Sequence, residues 1–544
     1  MMFSYKERTK VKQLMGNYHF DVLVIGGGIT GAGIALDAAS RGLSVALVEM
    51  QDFSAGTSSR STKLVHGGLR YLKNLEVDVV AEVGREREIV YENGVHITTP
   101  EHMLLPLYKK GTYGPLATSV ALKVYDRLAR VKKEERRTML SKEQTLQLEP
   151  LLKEKDMRGG GYYVEYRTDD ARLTIEVMKK AVAYQALCLN YAKATAFLYD
   201  KKNRVVGSSV QDVLTGETFD INATQVINAA GPWVDDVRKR DEVSNNKQLR
   251  LTKGVHIVID QSVFPLRQAI YFDTADGRMV FAIPRDGKAY VGTTDTFYDK
   301  DPTHPIATKE DVDYLLNTIH FMFPEVHVTN ADVESTWAGV RPLIYEKGKD
   351  PSEISRKDEI WVAKSGLMTI AGGKLTGYRQ MAEDIVDKVV GIHKFKHAQK
   401  CATKHLSLSG ANGINSKNFQ GYIGNKAKEG EGLGISYERA KRLVSTYGTN
   451  VDEVFGYLRQ VSEGDLPRCL HARLLYAIHH EMVYTPSDFF IRRTGLLYFD
   501  IAQVERYKDA VIAIMASEIG YTEEQRRQFT EELIIALHEA KYPQ

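Results

Sequence analysis

The stretch FDVLVIGGGITGAGIALDAASRGLSVALVE, residues 20–49, limits the possible folds of this chain more than any other segment. Val22 to Ile25 is a short apolar run, as expected for a buried parallel strand. A glycine-rich segment and a run of small residues follow, and Arg41-Gly42 is typical of a helix end. A second apolar run, 44–48, stops at Glu49. This order predicts a strand–helix–strand unit.

The glycines of this unit predict what it binds. Gly26, Gly28 and Gly31 have the G-x-G-x-x-G spacing, which permits a tight turn and brings backbone N–H groups and a helix N-terminus to a pyrophosphate. Glu49, at the tip of the second strand, can accept hydrogen bonds from ribose hydroxyls. Its charge would repel a ribose 2′-phosphate, which argues against NADP. The pattern leaves NAD and FAD open, since both use this unit.

Composition narrows the class of protein. The 544 residues predict more than one domain, and 43% hydrophobic with 26% charged residues is typical of a folded globular protein. A net charge of +3 over this length does not favour nucleic acid as a partner. Three dispersed cysteines (Cys188, Cys401, Cys469) predict a reducing compartment and no structural metal.

The pattern of apolar and turn residues divides the rest of the chain. VHIVID (255–260) alternates as a strand does, and Asp286-Gly287 predicts a hairpin turn. Thr449-x-x-Asp452 and Thr522-x-x-Gln525 are helix-start signals. We predict a nucleotide-binding domain in three parts (19–90, 161–231, 355–395), a helical and substrate-domain segment (91–160), a strand-rich substrate domain (232–354), a linker (396–435) and an all-helical domain (436–544).

RSTKLVHGGLRYL, residues 60–72, places cations, a histidine and a tyrosine around a Gly-Gly pair. A solvated helix face is one interpretation, because Arg60, Lys63 and His66 recur every three residues. Two glycines inside a helix are costly, however, at about 1 kcal/mol each. Gly-Gly more often marks close approach of the backbone to a ligand.

Seven segments together resemble FAD-dependent glycerol-3-phosphate dehydrogenases over about residues 19–380. They are GGGITGAG, TSSRSTKLVHGGLRYL, NAAGPW, KGVHIVI, GTTD, AGVRPL and AGGKLTGYR. The bacterial α-glycerophosphate oxidases share most of these motifs. The oxidases carry an insertion near the end of the substrate domain, whereas only a short segment separates Arg341-Pro342 from Trp361 here. The resemblance therefore favours the dehydrogenase.

The resemblance implies FAD and an α/β fold. A Rossmann-like FAD-binding domain is interrupted by an antiparallel-sheet substrate domain of the glycine oxidase and D-amino acid oxidase type, and a small all-helical domain follows. It implies further cofactor contacts at Thr57, Ser58, Ser59, Ala230, Gly231, Gly373, Leu375 and Thr376, and substrate contacts at Arg70, Tyr71, Arg341 and Lys374, with Arg356 as a further candidate for the phosphate.

The implied reaction is oxidation of sn-glycerol 3-phosphate to dihydroxyacetone phosphate, by hydride transfer from C2 to flavin N5. A base must take the hydroxyl proton. His66 and His256 are the candidates, and His66 is favoured by its place before Gly67-Gly68. His256 interrupts an apolar strand and is equally well interpreted as a core histidine. A water, or another group whose pKa the neighbouring arginines lower, is a further alternative.

Several expectations concern partners and alternatives. The resemblance implies that the electrons pass to a membrane quinone, which would place the enzyme at the inner, cytoplasmic face of the membrane. The basic N-terminus is a candidate contact. A homodimer is compatible with the resemblance. The main alternative is an oxidase that uses O₂ and forms hydrogen peroxide; an amine or hydroxy-acid oxidase and a non-catalytic flavin-binding scaffold are the others.

Overall fold

The computed structural model describes residues 3–66, 77–109, 111, 136–241, 247–346 and 358–544, in which helices pack on two β-sheets. The described strands are β1 (His19–Ile25), β2 (Val45–Val48), β3 (Leu64–Val65), β4 (Thr98–Tyr108), β5 (Thr138–Leu140), β6 (Met157–Thr168), β7 (Leu187–Leu189), β8 (Ala192–Tyr199), β9 (Val205–Asp212), β10 (Thr218–Asn228), β11 (Lys247–Asp260), β12 (Ala269–Asp273), β13 (Met279–Arg285), β14 (Lys288–Gly292), β15 (Thr296–Phe297), β16 (Val333–Glu346), β17 (Glu359–Val362) and β18 (Met368–Ala371).

The described helices follow the same order along the chain. They are α1 (Arg8–Asn17), α2 (Ile29–Ser40), α3 (Val77–Asn93), α4 (Lys142–Leu148), α5 (Asp170–Ala183), α6 (Val234–Arg238), α7 (Lys309–Met322), α8 (Tyr378–His393), α9 (Phe419–Gly432), α10 (Tyr437–Tyr447), α11 (Val451–Gln460), α12 (Arg468–His480), α13 (Leu496–Phe499), α14 (Ile501–Ile519) and α15 (Glu523–Lys541). A π-helix covers Asp488–Arg493.

The first sheet contains the predicted strand–helix–strand unit, β1–α2–β2. Among the described strands its order is β17-β18-β10-β1-β2-β7, with β9 antiparallel to β10 and β8 paired with β9. β1 is parallel to both β2 and β10, and Val22 to Ile25 are buried. Helix α2 packs against α5 and α8. Burial of both faces of the sheet explains why β1 and β2 are unbroken apolar runs.

The second sheet is mostly antiparallel. Its described strands run in the order β15-β11-β14-β13-β12-β4-β6-β3, with β16 on β11 and β5 on β6. The predicted hairpin joins β13 to β14, and Asp286 and Gly287 both have the positive φ angles, 52° and 85°, of a tight hairpin turn. Along VHIVID the side chains alternate between two cores, with Val255, Ile257 and Ile259 in one and Val258 in the other, so this strand is buried on both faces.

The C-terminal helices share a hydrophobic core with the second sheet. One cluster joins residues of α12, α14 and α15 to Leu64, Tyr163 and Trp337. A second cluster holds α9, α10 and α11 together. Helices α12, α14 and α15 are therefore packed on the second sheet through one apolar cluster, whereas α9, α10 and α11 share a separate core.

The prediction of a linker at 396–435 is wrong over its second half, where α9 forms. Phe419, Ile423 and Ala427 are buried and lie four residues apart on one face. Gly430 continues this stripe, and a Cβ there would lie 2.4 Å from the Cβ of Ala440. The glycines and lysines around these residues conceal a helical period of apolar positions.

Two further predictions need correction. The 91–160 segment was predicted as a helical and substrate-domain segment. Its described part does join the substrate-domain sheet, through β4, β5 and the start of β6, but the described helix there is limited to the end of α3 and to α4; Met103 to Leu105 are buried between two cores. A short apolar run does not distinguish a helix from a strand. Thr449 caps no helix: α11 begins after Asn450, behind a 3₁₀ turn. The Thr522–Gln525 capping box is confirmed.

The basic N-terminal residues each lie beside a carboxylate. Arg8 is buried against Asp212, with 2.9 Å between guanidinium and carboxylate. The other pairs are Lys12 with Asp212 (3.3 Å) and with Glu217, Lys6 with Glu518 (3.6 Å) and Lys10 with Glu7 (3.8 Å). Lys6 and Lys10 remain exposed, and contact of the N-terminus with a membrane stays a prediction. Within the described ranges, no helix is both long and apolar enough to cross a bilayer.

Candidate active site

A cavity of about 480 Å³ lies where the two sheets meet. The carboxyl ends of β1, β2, β10 and β18 contribute the loops on one side. Residues of β3, β6, β11, β13 and β16 form the other side. Ligands of open parallel sheets bind at the carboxyl ends of the strands, so this position suits a nucleotide cofactor.

The glycine turn after β1 has no room for side chains. A Cβ at Gly26, whose φ is 115°, would lie 2.5 Å from the carbonyl oxygen of Ala229. A Cβ at Gly27 would lie 2.7 Å from the Cβ of Glu49. Gly28 precedes α2 and lines the cavity, and the N–H of Ile29 donates to the Ser58 hydroxyl at 2.9 Å. The turn thus presents backbone and a helix N-terminus to the cavity.

Gly31 was predicted to bind the cofactor, but it does not line the cavity. A Cβ at this position would lie 1.9 Å from the carbonyl oxygen of Gly26. Its role is to let α2 pass close to the glycine turn. The third glycine of the motif is therefore required for packing.

The Glu49 carboxylate is fixed at the end of β2. One oxygen accepts from the N–H of Gly27 at 2.7 Å, and the other accepts from the N–H of Gln51 at 2.8 Å. Burial raises the pKa of Glu49, and these backbone donors oppose the shift. Each oxygen holds further lone pairs, and the side chain lines the cavity. It can therefore accept ribose hydroxyls.

The three dispersed cofactor segments meet in the same cavity. Thr57, Ser58, Ala230, Gly231, Gly373, Leu375 and Thr376 all line it. Ser59 does not: it is buried, and its carbonyl oxygen accepts from the Lys63 ammonium at 3.0 Å. Thr376 is joined to His66 through its hydroxyl, with 3.2 Å to the His66 backbone N and 3.2 Å to its carbonyl oxygen.

Three of the predicted substrate residues also line the cavity, namely His66, Arg341 and Lys374. The Arg341 guanidinium donates to the Thr293 hydroxyl at 3.0 Å and lies 3.4 Å from the Asp295 carboxylate. Burial, followed by the charges of Lys374, Arg341 and Arg87, lowers the pKa of His66 to about 3. His66 is therefore a neutral imidazole beside a concentration of positive charge. Arg70, Tyr71 and Arg356 lie outside the described residues.

His256 lies behind the cavity wall. Its ring stacks on Trp337 with centroids 4.6 Å apart, and it is 1% exposed. Nε2 lies 3.0 Å from the hydroxyl of Thr62, which does line the cavity. Burial, with Arg341 and Lys63, lowers the pKa of His256 well below its ordinary value. The structure thus places it as a core histidine that reaches the cavity through Thr62.

Sequence reasoning missed the second-sheet wall of the cavity. Tyr271 and Phe281 stack there with ring centroids 4.2 Å apart, and the Phe281 ring meets the edge of His66. Both residues come from alternating strands, where nothing local separates a cavity-facing ring from a core ring. The other wall residues that were missed include Thr62, Tyr163, Glu165, Thr293 and Asp295.

The chain is similar to known proteins over its whole length. A family model described as FAD dependent oxidoreductase matches residues 21–379, and one described as the C-terminal domain of alpha-glycerophosphate oxidase matches residues 401–526. The aerobic glycerol-3-phosphate dehydrogenase of Staphylococcus haemolyticus is 60% identical, and the match covers 99% of this chain and 98% of the relative.

Solved structures give the same result. The glycerol-3-phosphate dehydrogenase of Bacillus halodurans, complexed with FAD, is 48% identical with a TM-score of 0.87, and the match covers 100% of this chain and 99% of that one. The L-alpha-glycerophosphate oxidase of Mycoplasma pneumoniae, with FAD bound, is 19% identical with a TM-score of 0.55; the match covers 69% of this chain and 95% of that one and shows a shared fold.

The residues of the cavity fit FAD. The glycine turn presents its backbone and the N-terminus of α2 to the cavity, the fixed carboxylate of Glu49 suits a ribose without a 2′-phosphate, and small residues of the three dispersed segments line the cavity, as a flat ring system requires. The predicted fold class and cofactor are confirmed. The chain belongs to the family of aerobic, FAD-dependent glycerol-3-phosphate dehydrogenases.

Proposed function

We propose that this chain oxidises sn-glycerol 3-phosphate to dihydroxyacetone phosphate. The main observation behind the proposal is that one cavity contains both a nucleotide-binding glycine turn and a group of substrate-binding candidates, His66, Arg341 and Lys374. A dianionic phosphate needs fixed cations, and an alcohol to be oxidised needs a neutral base. The full-length relatives named as glycerol-3-phosphate dehydrogenases support the same substrate.

We propose that the first sheet holds FAD. The N–H groups at the start of α2 and the turn Gly26–Gly28 would bind the pyrophosphate, and Glu49 would accept the adenosine ribose hydroxyls. The turns at Thr57–Ser58, Ala230–Gly231 and Gly373–Thr376 would surround the ring system. When bound, FAD supplies the oxidant, because it accepts the hydride that leaves C2 of the substrate.

Replacement of Glu49 by glutamine should weaken FAD binding about 10- to 100-fold, as expected for loss of hydrogen bonds to a charged acceptor. The glutamine amide would also turn a donor toward the N–H of Gly27 or Gln51. Fluorescence titration of the apoprotein with FAD measures the change. Glu453→Gln, on an exposed position of α11, is the control and should bind FAD as the unchanged protein does. Equal affinity in both variants would remove Glu49 from the ribose site.

The substrate phosphate would bind between Arg341 and Lys374. Arginine offers a planar pair of donors and lysine a point charge, which together suit a phosphate. Lys374 stands directly before the 3₁₀ turn Leu375–Gly377 and helix α8, where the helix dipole disfavours a cation unless an anion is near. A bound phosphate would stabilise this arrangement.

Replacement of Arg341 by alanine should raise the apparent KM for glycerol 3-phosphate about 10- to 100-fold, because a charged hydrogen bond to the phosphate is lost. FAD content should not change. Arg250→Ala removes an exposed arginine of β11 that stacks on Phe297 instead of lining the cavity, and it should leave KM unchanged. Steady-state kinetics with an artificial acceptor measure both. An unaltered KM in Arg341→Ala would place the phosphate elsewhere.

His66 would take the proton of the substrate C2 hydroxyl as the C2–H bond breaks. The C–O bond then becomes a carbonyl, the hydroxyl proton resides on an imidazole nitrogen, and the electron pair of the C–H bond leaves with the hydride. Before substrate binds, burial and then the surrounding cations keep the pKa of His66 low and the ring neutral. A phosphate dianion bound to Arg341 and Lys374 would offset their charge and so make the imidazole more basic.

We propose a membrane quinone as the electron acceptor and the inner face of the cell membrane as the location. The short segment between Arg341-Pro342 and Trp361 supports the dehydrogenase over the oxidase. The test is to turn the enzyme over on glycerol 3-phosphate in air, with and without a soluble quinone. Fast turnover only with quinone, without hydrogen peroxide, is expected. Stoichiometric peroxide in air alone would identify an oxidase.

A further inference from the structure

Glu165 is a buried carboxylate in the cavity wall that none of the steps above uses. It lies on β6 of the second sheet and is 2% exposed. The Arg87 guanidinium, equally buried, donates to its Oε2 at 3.1 Å and to the carbonyl oxygen of Val164 at 2.5 Å. Burial of a carboxylate is costly unless it is paired. The presence of the buried Glu165 carboxylate in the cavity wall therefore requires an explanation.

The register of the sheet puts Glu165 beside His66. Strands β3 and β6 are antiparallel, with Leu64 opposite Arg167 and Val65 opposite Tyr166. Continuing this register by one residue sets His66 opposite Glu165. Residues that face each other across antiparallel strands project from the same side of the sheet.

The surroundings of the side chains on β3 and β6 show which side of the sheet faces the cavity. Leu64, Tyr163, Glu165 and His66 line the cavity, at alternate positions of the two strands. Val65, Val164 and Tyr166 lie in the hydrophobic core on the opposite side. His66 and Glu165 therefore lie next to each other on the cavity face.

The charges around His66 are mostly positive. Lys374, Arg341 and Arg87 each lower its affinity for a proton. Of the other charged groups nearby, Asp295 is engaged by Arg341, and Glu101, opposite Glu165 on β4, pairs with Arg167 at 3.5 Å. A proton taken by His66 adds one more positive charge to this surrounding. Glu165 is itself paired with Arg87, one of these three cations, and so offsets a charge that would otherwise act on His66.

We propose that Glu165 is a positioning residue for His66: it faces His66 across β3 and β6, holds and neutralises Arg87, and so compensates the charge that the ring acquires with the hydroxyl proton. Glu165 keeps its negative charge throughout and exchanges no proton, so bonds change only at the substrate, at His66 and at the hydride acceptor. This inference rests on the proposed oxidation of glycerol 3-phosphate.

The test is Glu165→Gln, which keeps the shape and removes the charge. FAD reduction by saturating glycerol 3-phosphate, followed anaerobically by stopped flow, should slow about 10- to 100-fold, while KM changes less than about threefold. In a His66→Gln background the same replacement should add less than about a twofold loss, because it acts through a base that is already absent. Losses that multiply in the double variant would overturn the inference.

The pH dependence gives a second result that a purely structural role would not produce. With a weaker internal base, hydroxide from solvent takes over the proton removal, so the rate in Glu165→Gln should keep rising with pH where the unchanged enzyme has reached a plateau. Parallel pH profiles would contradict the proposal. Glu101→Gln, a neighbouring carboxylate that does not line the cavity, should keep both the rate and the profile.

Glu165→Asp separates charge from fold. This variant keeps the carboxylate, so it should retain more activity than Glu165→Gln, and its pH profile should match that of the unchanged enzyme. If Glu165→Gln does not retain FAD, Glu165→Asp is measured in its place. Lower activity in Glu165→Asp than in Glu165→Gln would overturn the inference. Failure of glycerol 3-phosphate to reduce the unchanged holoenzyme would instead refute the proposed function.

Discussion

Replacement of Asp52 by asparagine will lower the free energy of unfolding by about 3–5 kcal/mol, the range for breaking a buried ion pair by removing one partner. The protein will also lose FAD. Asp52 is 1% exposed, and its carboxylate accepts from Arg492 at 2.6 Å and from Arg493 at 2.8 and 3.0 Å. Asn190 donates to it at 3.0 Å. Loss of the charge leaves two arginines buried without this partner.

FAD is expected to be lost because Asp52 anchors the loop around the glycine turn. Glu49 accepts from the N–H of Gly27, and the N–H of Ser54 donates to the carbonyl oxygen of Gly27 at 3.0 Å. Asp52 lies between these two contacts and ties the loop to the π-helix Asp488–Arg493. The C-terminal part of the chain thus helps to hold the glycine turn in place.

The ion pairs of Asp52 with Arg492 and Arg493 also predict how the free energy of unfolding depends on pH. Burial alone would raise the pKa of Asp52, but Arg493 and Arg492 outweigh it and lower the pKa. A carboxyl group whose pKa is lowered by folding stabilises the fold at pH values above its ordinary pKa. This contribution is lost as pH falls through the folded-state pKa. Asp52→Asn should therefore be less sensitive to acid than the unchanged protein.

Urea unfolding with and without FAD, together with the FAD content after gel filtration, measures these effects. Asp236→Asn is the control, since Asp236 and Lys239 form an exposed pair at 3.1 Å that should be worth less than about 1 kcal/mol. Equal free energies of unfolding in the two variants, with FAD retained in both, would show that the ion pairs of Asp52 do not hold the glycine turn in place.

The second large effect concerns His66. Replacement by glutamine should slow anaerobic FAD reduction by glycerol 3-phosphate about 100- to 10,000-fold, the range for loss of a general base. Glutamine lacks a group that can take a proton at neutral pH. FAD should remain bound, because His66 contacts Thr376 through its backbone, which the substitution preserves.

His256→Gln is the matched control, since His256 is reached only through Thr62 in the described part of the cavity. It should slow reduction far less than His66→Gln does. Stopped-flow rates at saturating substrate measure both variants. A larger loss in His256→Gln would assign the proton to His256 through Thr62.

Local pattern was sufficient for the cofactor half of the cavity. Residues 20–49 contain strand, glycine turn, helix, strand and carboxylate in chain order, and the structure forms β1, α2 and β2 there. The same reasoning could not foresee that Gly31 serves packing, since that depends on how closely α2 passes Gly26.

The substrate half depends on contacts between distant strands. Glu165 becomes part of the site only because β6 pairs with β3, about 100 residues earlier in the chain. His256 is withdrawn because Trp337, on β16, covers it. Sequence alternation predicts that such residues face one side of a sheet, but the pairing of strands decides which side meets the cavity.

The most direct test of the account is an anaerobic titration of the purified holoenzyme with glycerol 3-phosphate, followed by its visible flavin absorbance. Bleaching by glycerol 3-phosphate, with no bleaching by glycerol at the same concentration, is the predicted result. It would show that the cavity joins a reducible flavin to a site that requires the phosphate. An absorbance that neither compound changes, or that glycerol bleaches equally well, would contradict the proposed substrate.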